Sequence, residues 1–93
     1  MDFDVNHASI TYLLSSSLND HSSPPRVGET VTLKKAAERY EYEVVITSHD
    51  NGSYKGLVQN VEIDGVPEVD ADGLYEGSEV SFKLSHVFSV KRN

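Results

Sequence analysis

The sequence predicts a mainly β protein of the α+β class, a small curled antiparallel sheet or small barrel of about five strands after a short N-terminal helix or arm. The main observation is uninterrupted alternation from residue 79 to residue 90. One parity of this run, which we expect to face the core, consists of Val80, Phe82, Leu84, His86, Phe88 and Val90. A strand of this length spans roughly 40 Å at about 3.3 Å per residue. We therefore expect it to bend or bulge near Ser85–His86.

Composition limits the chain to one small core. Its 93 residues include no cysteine and carry a formal net charge of −7. This excludes disulfide and thiol chemistry and disfavours contact with a phosphate backbone. The acidic start, Met1-Asp2-Phe3-Asp4, and the lack of a long apolar run predict a cytoplasmic protein without a membrane contact. We expect an N-terminal helix or arm with a Ser/Pro linker at residues 1–25, then a small β domain at residues 26–93.

The N-terminal prediction depends on one helical stripe. Ile10, Leu13, Leu14 and Leu18 have the spacing i, i+3, i+4 and i+8, which is typical of one face of a helix. The β-prone Ile10-Thr11-Tyr12 and the serine run that follows argue against a helix, so the alternative is an extended arm.

Alternation predicts further strands after residue 26. Val31 and Leu33 alternate with polar residues, and so do the apolar positions between Tyr40 and Ile46. Asn51-Gly52 predicts a tight hairpin turn into a strand at residues 54–63, with Leu57, Val61 and Ile63 on one face. Residues 35–39 match a helical period, so we expect one helical turn between the first two strands.

Two strand entries share one pattern. Gly28 and Gly77 each begin the form Gly-x-x-Val-(Thr/Ser)-apolar, in which glycine permits a bend before an inward-facing strand. This entry resembles the strand starts of SH3-like and OB-type barrels. The resemblance implies a small-barrel fold and no particular activity.

Residues 68–79 match the spacing of a calcium-binding loop, with Glu68 in place of the first Asp and with Asp70, Asp72 and Glu79 as candidate ligands. That loop normally lies between two helices, whereas Pro67 precedes this one and a strand follows it. We favour an acidic turn in which Gly73 has an unusual φ, and we predict no metal or cofactor.

His86 interrupts an apolar stripe, which indicates a buried functional group or a bulge that turns the ring outward. The other histidines show no metal-ligand spacing, and the chain contains neither a nucleophile elbow nor a phosphate-binding glycine loop. We therefore predict that the protein is not an enzyme.

The remaining hypotheses are both binding functions. The first is recognition of a protein partner through a sheet edge or through an acidic face, and an acidic face would suit a partner with a basic surface. The residues assigned to that face are Glu68, Asp70, Asp72 and Glu76. The alternative is a single-stranded nucleic-acid-binding barrel that combines aromatic stacking with basic side chains. The residues assigned to it are Lys34, Lys35, Arg39, Tyr40 and Tyr42.

Overall fold

A computed structural model describes residues 3–14 and 24–92. These residues form nine strands and a single 3-10 turn at Leu84–His86. The strands are β1 (Thr11–Leu14), β2 (Thr30–Lys35), β3 (Tyr40–Asp50), β4 (Ser53–Ile63), β5 (Val66–Glu68), β6 (Asp70–Ala71), β7 (Leu74–Tyr75), β8 (Glu79–Lys83) and β9 (Ser89–Arg92). The prediction of a mainly β fold is confirmed.

The sheet is mixed and is not a closed barrel. Its strand order is β1-β9-β2-β3-β4-β5, with β8 also paired to β4, while β6 and β7 form a separate hairpin. All pairings are antiparallel except that of β1 with β9, which is parallel. The prediction of an antiparallel sheet was therefore wrong for β1, and the predicted barrel closure does not occur.

The core lies on one face of the sheet. Alternate residues of β2 and β3 are buried, as their periodicity predicts. Tyr54 stacks on Phe82 with ring centroids 5.4 Å apart and donates its hydroxyl to the carbonyl of Pro25. The largest fully buried side chains are Pro25, Val31, Leu33, Tyr42, Val44, Ile46, Tyr54, Val58, Val87 and Val90.

The N-terminal helix prediction was wrong. Thr11–Leu14 is a strand because its backbone pairs with β9, a long-range partner that a helical stripe does not reveal. Leu18 lies outside the described residues, as does most of the predicted linker. Phe3 is buried in the main core and contacts the ring of Tyr42 edge-on, so the chain packs against the sheet at this residue.

The long alternating run is two strands. The expected bend near Ser85–His86 is present as the 3-10 turn between β8 and β9. The alternation of buried residues breaks only around the turn, where Leu84 is 41% exposed and Val87 is fully buried. In β9, Val90 is buried on the same parity as Val80 and Phe82 of β8. The assignment of Leu84 and Phe88 to the core face was thus wrong for Leu84 and only partly right for Phe88, which is half-buried.

In strand β4 the parity of the buried residues changes at a bulge. Val44 pairs with Val58 and Glu43 pairs with Asn60, so Gln59 is an extra residue on β4. An extra residue of this kind turns the side chains that follow it to the opposite face. Val61 is therefore buried as predicted, but Leu57 is 38% exposed and Val58 occupies the core position instead.

Two turns show the backbone conformations that the connections require. The Asn51-Gly52 hairpin is confirmed, with φ of 48° and 81°. The helical turn expected between β2 and β3 was wrong, because this turn is left-handed: Ala36, Ala37 and Glu38 all have positive φ. Asp4 holds this turn, because its carboxylate accepts the Glu38 N–H at 2.7 Å and its own N–H donates to the Lys34 carbonyl.

Candidate binding surface

A surface depression of about 420 Å³ lies where β4, β5 and the β6–β7 hairpin meet. The bulge of β4 contributes one wall through Gln59 and Asn60, and β5 contributes another through Pro67 and Glu68. The complete lining is Gln59, Asn60, Val61, Pro67, Glu68, Val69, Tyr75 and Glu76. We name this depression the acidic groove.

Two hairpins position the acidic groove. The Asp64-Gly65 turn returns the chain so that β5 lies against the end of β4, with Val61 opposite Glu68. The Asp72-Gly73 turn then folds β6 onto β7, with Asp70 opposite Tyr75. Both residues of each turn have positive φ, including Gly73 as expected. Local turn chemistry therefore places the groove walls.

The β6–β7 hairpin is fastened to the core by two side chains. Tyr42 donates its buried hydroxyl to the Ala71 carbonyl at 2.8 Å, and Ala71 itself is buried. Lys35, which is also buried, pairs with Asp72 at 3.1 Å and places its ammonium 5.1 Å from the Phe3 ring centroid. The pKa of Tyr42 is raised to about 12, mainly by burial and to a lesser extent by the nearby Asp72 carboxylate.

Large apolar side chains surround the groove and remain in solvent. Val69 is 87% exposed, and Val66 and Tyr75 are each 56% exposed. Val69 and Tyr75 line the groove, and Val66 begins β5 beside it. Isolated exposed apolar residues are ordinary, but adjacent ones beside a depression are typical of an interaction surface.

The four predicted partner-binding carboxylates do not form one equivalent set. Glu68 and Glu76 line the groove, and Asp70 is exposed on the adjoining strand. Among the side chains that the structure describes, none forms an ion pair with these three carboxylates. Asp72 differs because Lys35 already neutralises it. The groove therefore carries uncompensated negative charge, to which Asp72 contributes little.

The calcium hypothesis finds no support in this geometry. Lys35 occupies the Asp72 carboxylate that the loop would need, and Glu79 is at the start of β8, opposite Leu57. Within residues 3–14 and 24–92, no group of three or more His, Asp or Glu side chains could hold a metal ion. The residues 70–73 form the acidic turn that we favoured.

The residues assigned to nucleic-acid binding do not form a common surface. Tyr42 and Lys35 are buried and already bonded, as described above. Lys34 pairs with Glu38 at 3.2 Å on the opposite face of β2. Arg39 pairs with Asp64 at 3.3 Å and lies over the half-buried ring of Tyr40, and the salt bridge raises the pKa of Arg39.

His86 has a structural role. It is half-buried, and its Nδ1 accepts the Lys83 N–H at 3.0 Å. Its ring lies 6.3 Å from that of Phe3. The histidine therefore satisfies a backbone donor at the end of β8, at the point where the alternating run breaks.

Sequence reasoning missed the apolar part of the groove. Val66, Val69 and Tyr75 lie within the acidic stretch, where their spacing matches neither a helix nor one long strand. The available signal was the placement of Val66 and Val69 between two turn-forming Asp-Gly pairs, with Tyr75 just after the second pair. Only the packing of two short hairpins against β4 brings these side chains and the carboxylates together.

Comparisons with known proteins found no relative. No protein-family model, no curated protein and no solved structure matches the chain. No helix in the described part of the chain is long and apolar enough to cross a membrane.

Proposed function

We propose that the protein is a non-catalytic binding module whose acidic groove holds a basic segment of a protein partner. One observation carries the proposal: carboxylates that form no ion pair with any described side chain lie at the same depression as strongly exposed apolar side chains. A lysine or arginine side chain suits both, because its charged end pairs with a carboxylate and its methylenes cover apolar surface.

Tyr75 adds a second favourable contact for a cation. Its ring is 56% exposed and lines the groove together with Glu68 and Glu76. An ammonium or guanidinium over a tyrosine face gains about 0.5–1 kcal/mol at an exposed site. A cationic side chain in the groove would therefore contact the ring and a carboxylate at once.

The side chains of the groove, and not the backbone of β5, are the proposed contact. The two-residue turn makes Ile63 and Val66 a hydrogen-bonded pair, and the alternation then directs the backbone of Pro67 away from β4. Proline has no N–H to offer a partner strand there. This edge is thus poorly suited to strand addition, which favours the acidic-face form of the hypothesis.

A random peptide library displayed on phage, selected against the immobilised protein, tests the proposal. We expect the selected peptides to be enriched in Lys or Arg next to apolar residues. Their binding should fall about tenfold, which corresponds to about 1.4 kcal/mol, in the double variant Glu68→Gln/Glu76→Gln and in Tyr75→Ala. Amide shifts on titration should map to residues 59–76.

A matched control removes two carboxylates elsewhere. Asp50→Asn/Glu62→Gln lowers the negative charge by the same amount at the tip of the β3–β4 hairpin and on β4 opposite Pro67. An equal loss of peptide binding in both double variants would show that net charge, and not the groove, determines binding. Peptides without basic residues, or unchanged binding by the groove variants, would refute the proposal.

A further inference from the structure

Strand β8 has one hydrogen-bonded neighbour among the described residues, β4. The direction of its backbone groups follows from the pairing. Val58 donates its N–H to the Ser78 carbonyl, and the register continues with Gly56 opposite Val80 and Tyr54 opposite Phe82. Because bonded and non-bonded pairs alternate in an antiparallel ladder, Val80 and Phe82 bond to β4. Glu79, Ser81 and Lys83 therefore direct their N–H and C=O groups to the outer edge.

The outer edge of β8 is less protected against pairing with another strand than the outer edge of β5. Pro67 removes the outward N–H at the centre of β5, whereas Ser81, at the centre of β8, keeps both backbone groups. His86 satisfies the outward N–H of Lys83 and so marks the end of the edge that is open for pairing. A depression of about 510 Å³ lined by Ser53, Ser81, Phe82, Lys83, Ser85 and His86 adjoins that end.

The side chains of the edge are self-complementary. An antiparallel pairing of two copies centred on Ser81 places Glu79 opposite Lys83 of the second copy, and Lys83 opposite its Glu79. All these side chains lie on the exposed face of β8. A lysine on an edge strand ordinarily discourages pairing, but here a carboxylate faces it. Two-fold symmetry forms the charge pair twice, because such an interface uses the same patch on both copies.

We propose that β8 pairs antiparallel with β8 of a second copy of this chain, centred on Ser81, and so joins two sheets into one. Ser81 of each copy exchanges N–H and C=O bonds with Ser81 of the other. The Glu79 N–H donates to the Lys83 carbonyl of the second copy, a bond that leaves His86 in place. This surface is separate from the acidic groove, and the proposal is independent of the function proposed above.

The contact is small, so we expect weak and reversible self-association. A single short strand on each side lies at the low end of specific interface sizes. The net charge of −7 adds repulsion, which is largely screened at about 0.15 M salt. The expected dissociation constant is on the order of 10 µM to 1 mM.

Sedimentation velocity across that concentration range, on the full chain, tests the pairing. Glu79→Lys places two lysines opposite each other and should weaken association at least tenfold, and so should Lys83→Glu, which opposes two glutamates. The double variant Glu79→Lys/Lys83→Glu restores opposite charges in this register and should recover the wild-type constant. Recovery identifies the antiparallel register, since a general loss of stability would not be reversed.

Two further variants separate the edge from other causes. Ser81→Pro removes an N–H that points away from β4, so circular dichroism should show a folded protein that stays monomeric. Glu62→Lys changes the net charge as Glu79→Lys does, at a residue opposite Pro67, and should leave association unchanged. A wild-type chain that stays monomeric across the range, or a double variant that fails to recover, would overturn the proposal.

Discussion

Gly28 and Gly77 have the same backbone conformation, φ of +92°, and the same hydrogen bonds to the sheet. The Gly28 N–H donates to the Ile46 carbonyl, and Ile46 donates back to the residue after the glycine. Gly77 and Val58 repeat this arrangement. The chain turns a corner at each glycine, and a side-chain oxygen closes each corner by accepting a backbone N–H from three residues earlier. Glu29 accepts the Arg26 N–H, and the Ser78 hydroxyl accepts the Tyr75 N–H. This is the pattern of a bulge with a left-handed glycine.

These corners predict the cost of a β-carbon at each glycine. Space is available at both, since a Cβ would meet no atom within 4 Å. The cost is therefore conformational, and we expect Gly28→Ala and Gly77→Ala each to destabilise the fold by about 1–2 kcal/mol. Urea denaturation measures it. Ser78→Gly keeps the left-handed Gly77 but removes the bond between the Ser78 hydroxyl and the Tyr75 N–H, and it should cost less than Gly77→Ala. The reverse order would contradict the conformational explanation.

The left-handed turn at residues 36–38 predicts a stabilising substitution. Ala37 is exposed and has φ of 56°, a conformation that costs an L-residue about 1–2 kcal/mol. Glycine removes that strain but loses about 0.5–1 kcal/mol of chain entropy. We therefore expect Ala37→Gly to raise the free energy of unfolding by about 0.5 kcal/mol. Ser81→Gly, a matched change at an exposed residue in an extended strand, should lower the free energy of unfolding. Stabilisation by both Ala37→Gly and Ser81→Gly would refute the explanation by strain at positive φ.

The Lys35–Asp72 pair predicts unequal effects of removing its two members. Lys35 has its side chain 8% exposed, whereas that of Asp72 is 36% exposed. Asp72→Asn leaves a buried ammonium without its carboxylate and should cost about 2–3 kcal/mol. Lys35→Met leaves a carboxylate that water can reach and should cost less than about 1 kcal/mol. Thermal and urea unfolding of both variants and of the double variant measures the coupling. Equal destabilisation by Asp72→Asn and Lys35→Met would contradict the difference in burial between the two side chains.

Burial of Tyr42 predicts a loss of stability in alkali. Its pKa is about 12 in the fold, against an ordinary value of about 10. Folding therefore favours the protonated hydroxyl, and this stabilisation is complete below about pH 10 and disappears as the pH rises through about 12. The two-unit difference is worth at most about 2.7 kcal/mol. Burial raises the pKa of Tyr54 as well, so it acts in the same direction.

Comparison with Tyr42→Phe isolates this contribution. Phenylalanine loses the bond to the Ala71 carbonyl, so the variant should be about 1 kcal/mol less stable near pH 8. It has no proton to lose, so its free energy of unfolding should fall less between about pH 9 and pH 12. Tyr75→Phe, at an exposed tyrosine, is the control. Parallel pH profiles for wild type and Tyr42→Phe would show that Tyr42 does not determine the alkaline limit.

Local patterns predicted those features whose physical cause is local. Alternation in β2 and β3 identifies a buried face because side chains in a strand point alternately to its two sides. Asn51-Gly52 identifies a hairpin because few residues accept positive φ. Gly28 and Gly77 identify two strand entries for the same reason. The bend at residues 84–86 followed from length alone, since a strand spanning about 40 Å does not fit on so small a core.

By itself, then, the sequence determined a mainly β chain, its principal turns and most of its buried positions. The tertiary structure decided three further points through contacts between distant residues. Pairing with β9 made Thr11–Leu14 a strand and not a helix, and the extra Gln59 turned Leu57 outward. The third point concerned charge: Lys35 neutralises Asp72, whereas no side chain in the described part of the chain forms an ion pair with Glu68 or Glu76. Which carboxylates remain available to a partner depends on which cations the fold brings near them, and no local pattern contains that information.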